Sequence, residues 1–364
     1  MALPQPRSWV LDIPLYQGGK SEIKGVNRVI KLSSNEAALG PSPKALTAYA
    51  AANTLHRYPQ DGAADLRTAI AEIHGLDPAR IICGVGSDEV LCLLCRAFAG
   101  PGDEVIHTEH AYSIYAIFAK SVGAKPVAVP ETDLTANVDA ILSAVTPRTR
   151  LVFLANPNNP TGTYISGAEL NRLRAQLRED IVLVVDAAYA EFTAAADYDD
   201  GFALAATTPN TFVTRTFSKI YGLASLRLGW GTGPAEIIGA MERLRPPFNI
   251  SAPALAAGAA AVRDVAHTAA AKAHNAKWMK IAVQRLRGLG FNLGGDSANF
   301  VLPEFPAQGP KSAAAADAYL QSRGIIVRRV SNYGLPNHLR ITLGNDEDMT
   351  AVLDALAAFM EGRS

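Results

Sequence analysis

The chain has no excess of either charge: its 364 residues carry 34 Lys and Arg against 34 Asp and Glu. Nucleic-acid binding draws most of its affinity from neutralised phosphates, so this balance argues against a nucleic-acid partner. Cysteine is scarce. Cys83, Cys92 and Cys95 are the only three, too few and odd in number for a disulfide framework. Long apolar runs are missing as well. None reaches the ~18–20 residues that span a bilayer, and Pro4, Pro6 and Asp12 interrupt the stretch a signal peptide would keep apolar. A cytoplasmic protein with no membrane partner is expected. At 49% hydrophobic and 19% charged residues, the composition is that of a folded globular protein rather than a disordered one. The length suits two domains, or one large domain with an appendage.

From about residue 65 helical and strand signals alternate. Helices are predicted over Arg67 to His74, Asp88 to Phe98, Ile114 to Val122, Val138 to Ala144 and Ala168 to Leu177. Between and after them, strands are predicted at Ile81 to Cys83, Glu104 to His107, Lys125 to Val129, Arg150 to Leu154, Ile181 to Val185, Thr211 to Thr216 and Leu226 to Trp230. These runs are apolar throughout, as suits strands covered by helices on both faces, so an α/β fold with a mostly parallel central sheet is expected. After Arg245-Pro246-Pro247 an Ala-rich stretch, Ala252 to Leu286, reads as one long packed helix. The remainder, with strands near Asn299 to Leu302, Ile325 to Val327 and Leu339 to Leu343 and a helix Asp346 to Met360, reads as a smaller α+β unit.

Cys92-Leu-Leu-Cys95 followed by His107 and His110 imitates a zinc-finger string, but the two histidines are too close together and the cysteines sit in an apolar helical run. Buried thiols are the expectation, and no metal. Gly84-Val-Gly-Ser-Asp-Glu89 lies between a strand and a helix, where free N–H groups and the helix dipole favour a phosphate. It lacks the third glycine of a dinucleotide fingerprint and the Gly-Lys-Ser/Thr of a P-loop. Asn156-Pro-Asn-Asn-Pro-Thr-Gly162 follows one predicted strand and makes a rigid turn able to aim Asn159. Asp186 ends another and is followed by Tyr189. An acid there stands where ligands bind in open α/β sheets, although capping the next helix would be an ordinary use for it. Lys219, in Thr214-Arg-Thr-Phe-Ser-Lys219, is flanked by Phe217 and Ile220, an apolar setting that could lower the amine's pKa and make it nucleophilic, although a solvated surface lysine would be the ordinary case. Arg227 follows in Leu226-Arg-Leu-Gly-Trp230.

In this order and on these strand ends, the set resembles the fold-type I pyridoxal-phosphate (PLP) aminotransferases, and within them the histidinol-phosphate aminotransferase family. The resemblance runs from Leu32-Ser-Ser-Asn-Glu36 through Arg57-Tyr58-Pro59, Gly84 to Glu89, Asn156 to Gly162, Asp186 to Glu191 and Ser218-Lys219 to Leu339-Arg340-Ile-Thr-Leu-Gly344. It implies that Lys219 carries PLP covalently and moves the proton as general acid and base. Asp186 would pair with the ring nitrogen, Asn159 and Tyr189 would bond the phenolic oxygen, and Tyr112, in preference to Tyr115, would stack on the ring. Ser87 and Asp88 through their N–H groups, Ser218 and Arg227 would bind the phosphate, with Tyr58 reaching in from a partner subunit. Arg340 would clamp a substrate anion, helped by Arg328, Asn35 and Tyr16.

The implied architecture is an N-terminal arm (1–30), a PLP-binding domain (46–246) and a small domain built from 31–45 and 247–364, in a homodimer. The implied reaction is transfer of the amino group of L-histidinol phosphate to 2-oxoglutarate, both small-molecule substrates, in histidine biosynthesis. Two enzymatic alternatives share the constellation: an aromatic amino-acid aminotransferase acting on phenylalanine or tyrosine, and a PLP-dependent threonine-phosphate decarboxylase. A PLP-sensing transcription regulator would need a DNA-binding domain, for which the arm before Leu32 is too short.

Overall fold

The computed structural model describes residues 3–16, 18–25 and 28–363. Its centre is a seven-stranded sheet. In spatial order the strands are Ile81–Gly84, Gly229–Thr232, Thr211–Thr216, Val182–Asp186, Thr149–Ala155, Glu104–Thr108 and Lys125–Val129. All neighbours run parallel except Gly229–Thr232, which is antiparallel to both strands beside it. Successive side chains enter opposite layers. Phe153 and Val184 pack with the helices Gly86–Phe98 and Ile114–Ser121, while Val152, Leu183 and Val185 pack with Val138–Ser143 and Gly167–Gln176. Because both faces are covered at the centre of the sheet, 151–154 and 182–185 are buried at every position and apolar throughout, which is why the sequence shows runs there and no alternation. Cys83 and Cys95 are buried in these layers and Cys92 is half-buried, and burial pushes the Cys83 thiol up to about 12.

A three-stranded antiparallel sheet of Phe300–Val301, Leu335–Thr342 and Arg328–Val330 forms a second centre. Its core gathers Leu32, Trp278, Leu286, Leu320, Ile341 and Leu356. The short strand Ile30–Lys31 pairs in parallel with Ile325–Ile326, so the start of the chain is tied to its last third.

Two expectations need correction. The Ala-rich stretch is two helices, Ala252–Arg263 and Val265–Gly288, separated at Asp264, whose φ of −85° and ψ of 67° are not helical. Packing decides the break. Ala254, Ala257 and Ala261 pack with Leu66, Phe217 and Trp230 beside the central sheet, whereas Trp278, Met279 and Leu286 belong to the second core. Asp264 itself is buried and accepts a hydrogen bond from Lys44 Nζ at 3.1 Å. The strand predicted at Leu226 to Trp230 is displaced to Gly229–Thr232, because Ala224–Leu226 is a short 3-10 turn and Arg227 takes a left-handed φ of 49°. Among the described residues no helix is long and apolar enough to cross a membrane.

Candidate active site

The carboxyl ends of the parallel strands open into a cleft of about 260 Å³, the place where open α/β sheets bind ligands. The turn after Thr211–Thr216 carries Lys219 into it, half-buried, with Nζ donating to the Ser34 carbonyl at 3.1 Å and lying 5.8 Å from the Tyr189 ring centroid. Phe217 and Ile220 are buried on either side. Burial first, and then the Arg340 charge, lower the amine to about 8. Asp186 ends its strand fully covered, and the register places Thr214 opposite it. Its Oδ1 accepts the Thr214 hydroxyl at 3.0 Å and its Oδ2 the Tyr115 hydroxyl at 2.6 Å. Burial raises this carboxyl above the usual range, and the two hydroxyls pull it back. No helix follows for Asp186 to cap; the next element is the 3-10 turn Ala190–Phe192.

At one end of the cleft the helix Gly86–Phe98 begins, and its N-cap residue Val85 offers no side-chain acceptor to the first N–H groups. Glu89 Oε2 accepts the Val85 N–H at 2.7 Å and the Asn249 side-chain amide at 2.6 Å. Arg227 lies alongside, with Nη1 donating to Ser218 Oγ at 3.3 Å and Nη2 to Asp88 Oδ2 at 3.4 Å. Two glycines permit this approach. A Cβ on Gly86 would lie 2.7 Å from Arg227 Nη2, and one on Gly229 would lie 2.1 Å from Ser87 N. Helix N–H groups, a hydroxyl and a guanidinium thus converge on one spot, a donor set that suits a phosphate.

At the other end stands Arg340, buried, with Nη2 donating to the Ser33 carbonyl at 2.8 Å and Nη1 to Asn159 Oδ1. Its Nε has no partner. Arg328 lies opposite Arg340 on the adjacent strand and lines the cleft, whereas its neighbour Arg329 is exposed. Asn35, held at a φ of 55°, donates through Nδ2 to Tyr189 Oη at 2.8 Å and through its N–H to Thr342 Oγ1 at 2.9 Å. Tyr16, Tyr112 and Tyr333 complete the wall.

A model of the family described as aminotransferase class I and II matches residues 27–356. The chain belongs to that family. This aminotransferase is 55% identical over 361 residues to the histidinol-phosphate aminotransferase of Rhodospirillum rubrum, covering 99% of this chain and 98% of that one. It is 54% identical, over 99% of both chains, to the histidinol-phosphate aminotransferase of Paramagnetospirillum magneticum. Among solved structures it resembles histidinol-phosphate aminotransferase from Sinorhizobium meliloti in complex with pyridoxal-5'-phosphate, with a TM-score of 0.89 and 26% identity over 99% of each chain.

The cleft of this aminotransferase brings together Tyr16, Asn35, Ser87, Asp88, Tyr112, Asn159, Asp186, Tyr189, Ser218, Lys219, Arg227, Arg328 and Arg340. Tyr58 is outside it, 83% exposed and stacked on Phe248 at 4.9 Å. Tyr115 is buried against Phe153 and Tyr112 is the half-buried ring nearer the opening. Sequence reasoning missed Thr214, Ser33, Ser34, Thr342 and Tyr333. Thr214 had a signal, since strand alternation puts it on the same side as Thr216 at the mouth of the cleft. Ser33 and Ser34 act through backbone carbonyls, which a residue of any type would supply.

Proposed function

We propose that this aminotransferase moves the amino group of L-histidinol phosphate to 2-oxoglutarate, giving imidazole acetol phosphate and L-glutamate, as a PLP-dependent cytoplasmic homodimer. The observation that carries the reading is one cleft holding a lysine, its amine lowered to about 8, between a phosphate cradle and a pair of cross-strand arginines. The near full-length similarity to histidinol-phosphate aminotransferases supports the choice of substrate.

The residues present fit PLP. Ser87 and Asp88 N–H groups, Ser218 and Arg227 would hold its phosphate, Asp186 its ring nitrogen, Asn159 and Tyr189 its phenolic oxygen, and Tyr112 its ring face. Asn159 gives its carbonyl oxygen to Arg340, which leaves its NH₂ as the donor toward that oxygen. PLP, when bound, supplies an aldehyde for amines and a cationic ring that takes up electron density as a substrate C–H bond breaks. Lys219 would hold the cofactor, give way to the substrate amine and then move the substrate proton with Nζ, its lowered pKa fitting both tasks. Arg340 and Arg328 would bind the phosphate of one substrate and a carboxylate of the other, so a single cleft serves both in turn. Tyr16 and Asn35 would orient what lies between. Tyr58 of the partner subunit would reach the cofactor phosphate.

The division into a cofactor-binding part (46–246) and a smaller part (31–45 with 247–364) belongs to this proposal, and the packing of Ala252–Arg263 beside the central sheet supports moving its boundary to Asp264. The test is the change in cofactor absorbance on mixing the loaded enzyme with histidinol phosphate, phenylalanine, tyrosine, glutamate or threonine phosphate. Histidinol phosphate and glutamate should react fastest. Faster reaction with phenylalanine or tyrosine would overturn the substrate, and carbon dioxide release from threonine phosphate without an acceptor would overturn the reaction class.

A further inference from the structure

We propose that Tyr115 and Thr214 are positioning residues whose two hydroxyls clamp the Asp186 carboxylate, one on each oxygen, and so keep it ionised and aimed at the cofactor ring nitrogen. The inference rests on the function proposed above and assigns a task to two residues that touch neither substrate nor cofactor there.

The clamp is asymmetric. Both bonds are charge-assisted, and Tyr115 makes the shorter, to Oδ2 at 2.6 Å, against 3.0 Å from Thr214 to Oδ1. Of the roughly four lone-pair sites of a carboxylate, the two hydroxyls and the Ala188 N–H take three, which leaves one for an N–H from the cleft. Neither donor is free to wander. The Tyr115 ring is wholly buried, stacked on Phe153 at 4.9 Å with 9° between the planes and set edge-on to Tyr112 at 5.9 Å. Thr214 is fixed by its register opposite Asp186 in the sheet.

A carboxylate in this position needs such help. It has lost its water, and Asp88 on the helix Gly86–Phe98 adds a second negative charge; both favour the neutral acid. Three donors oppose them: the Tyr115 and Thr214 hydroxyls and the Ala188 N–H. A carboxyl torsion is otherwise loosely held, so the same bonds fix its plane. A buried tyrosine that merely found the nearest acceptor would show the same distance, and the two readings part in what the cofactor reports.

Apoprotein of the wild type, Tyr115→Phe and Thr214→Val should be titrated with PLP by absorbance between roughly pH 5 and pH 9. Tyr115→Phe keeps the ring and its stack on Phe153, so its melting temperature should stay near that of the wild type. Its PLP dissociation constant should rise about 10-fold or more, and binding should fail on acidification at a higher pH than in the wild type, because Asp186 takes up its proton sooner. In the loaded enzyme kcat should fall more than KM changes. Thr214→Val should move the acid limit in the same direction by less, and it carries the test if Tyr115→Phe does not fold. Variants that match the wild type in both affinity and acid limit overturn the inference alone. A wild type that binds no PLP overturns the proposed function, and this inference with it.

Discussion

At pH 7 most of the Lys219 amine still carries its proton, because burial and the charge of Arg340 bring it down only to about 8. Only the free base attacks an aldehyde. Covalent PLP uptake by the apoprotein should therefore accelerate about tenfold per pH unit on approach to 8 and level off above it, and a rate that is flat from roughly pH 6 to pH 9 in stopped-flow absorbance would contradict the environment described here. Lys219→Ala should retain PLP without a covalent bond, so that borohydride no longer fixes it, and should lose more than about 10³-fold in turnover. Arg340 sits in a different balance. Its Nη1 and Nη2 are already occupied by Asn159 and the Ser33 carbonyl, leaving Nε without a partner. Arg340→Ala should raise the dissociation constant of the phosphate donor by about 100-fold or more, and Arg340→Lys should restore little, since a point charge cannot bridge the same partners; equilibrium titration of the donor half-reaction measures both.

Gly258 lies inside the helix Ala252–Arg263, where glycine is a poor helix former. Its place is explained by contact, not by propensity: a Cβ there would lie 2.4 Å from Leu228 Cδ2 and 3.2 Å from Leu66 Cδ1. Gly258→Val should cost about 1–3 kcal/mol through overpacking, read as a melting temperature several degrees lower. The central strands at 151–154 and 182–185 were legible for a similar steric reason, since cover on both faces favours unbroken apolar runs. The order of Asn159, Asp186 and Lys219 at strand ends was legible too, because strand-end placement follows once the strands are found. What could not be read was set at a distance. Asp264 stops a helix without proline or glycine because the segments before and after it pack on different cores. Arg227 turns through a left-handed residue beside Gly86, and that displaces the strand expected at Leu226. Tyr115 meets Asp186 across 71 positions with no motif to join them.

Taken as a whole, a single chain leaves Tyr58 on the surface, stacked on Phe248, while the other proposed cofactor contacts share the cleft. If Tyr58 completes the cleft of the partner subunit, mixing two inactive variants will regenerate sites. A hybrid of Tyr58→Ala and Lys219→Ala subunits has one cleft with both native residues, so random exchange should restore about a quarter of wild-type activity; action within one chain would restore none. The cleft is drawn from Tyr16 to Arg340, and contacts such as Lys219 to Ser34 and Arg340 to Ser33 close over 185 and 307 positions. Pairings of that span come late in folding. On the ribosome the site has no complete wall until residue 340 has emerged, and in refolding the colour of bound cofactor should lag the recovery of helical circular dichroism. Added PLP should accordingly raise the final yield of native protein while leaving the first collapse untouched.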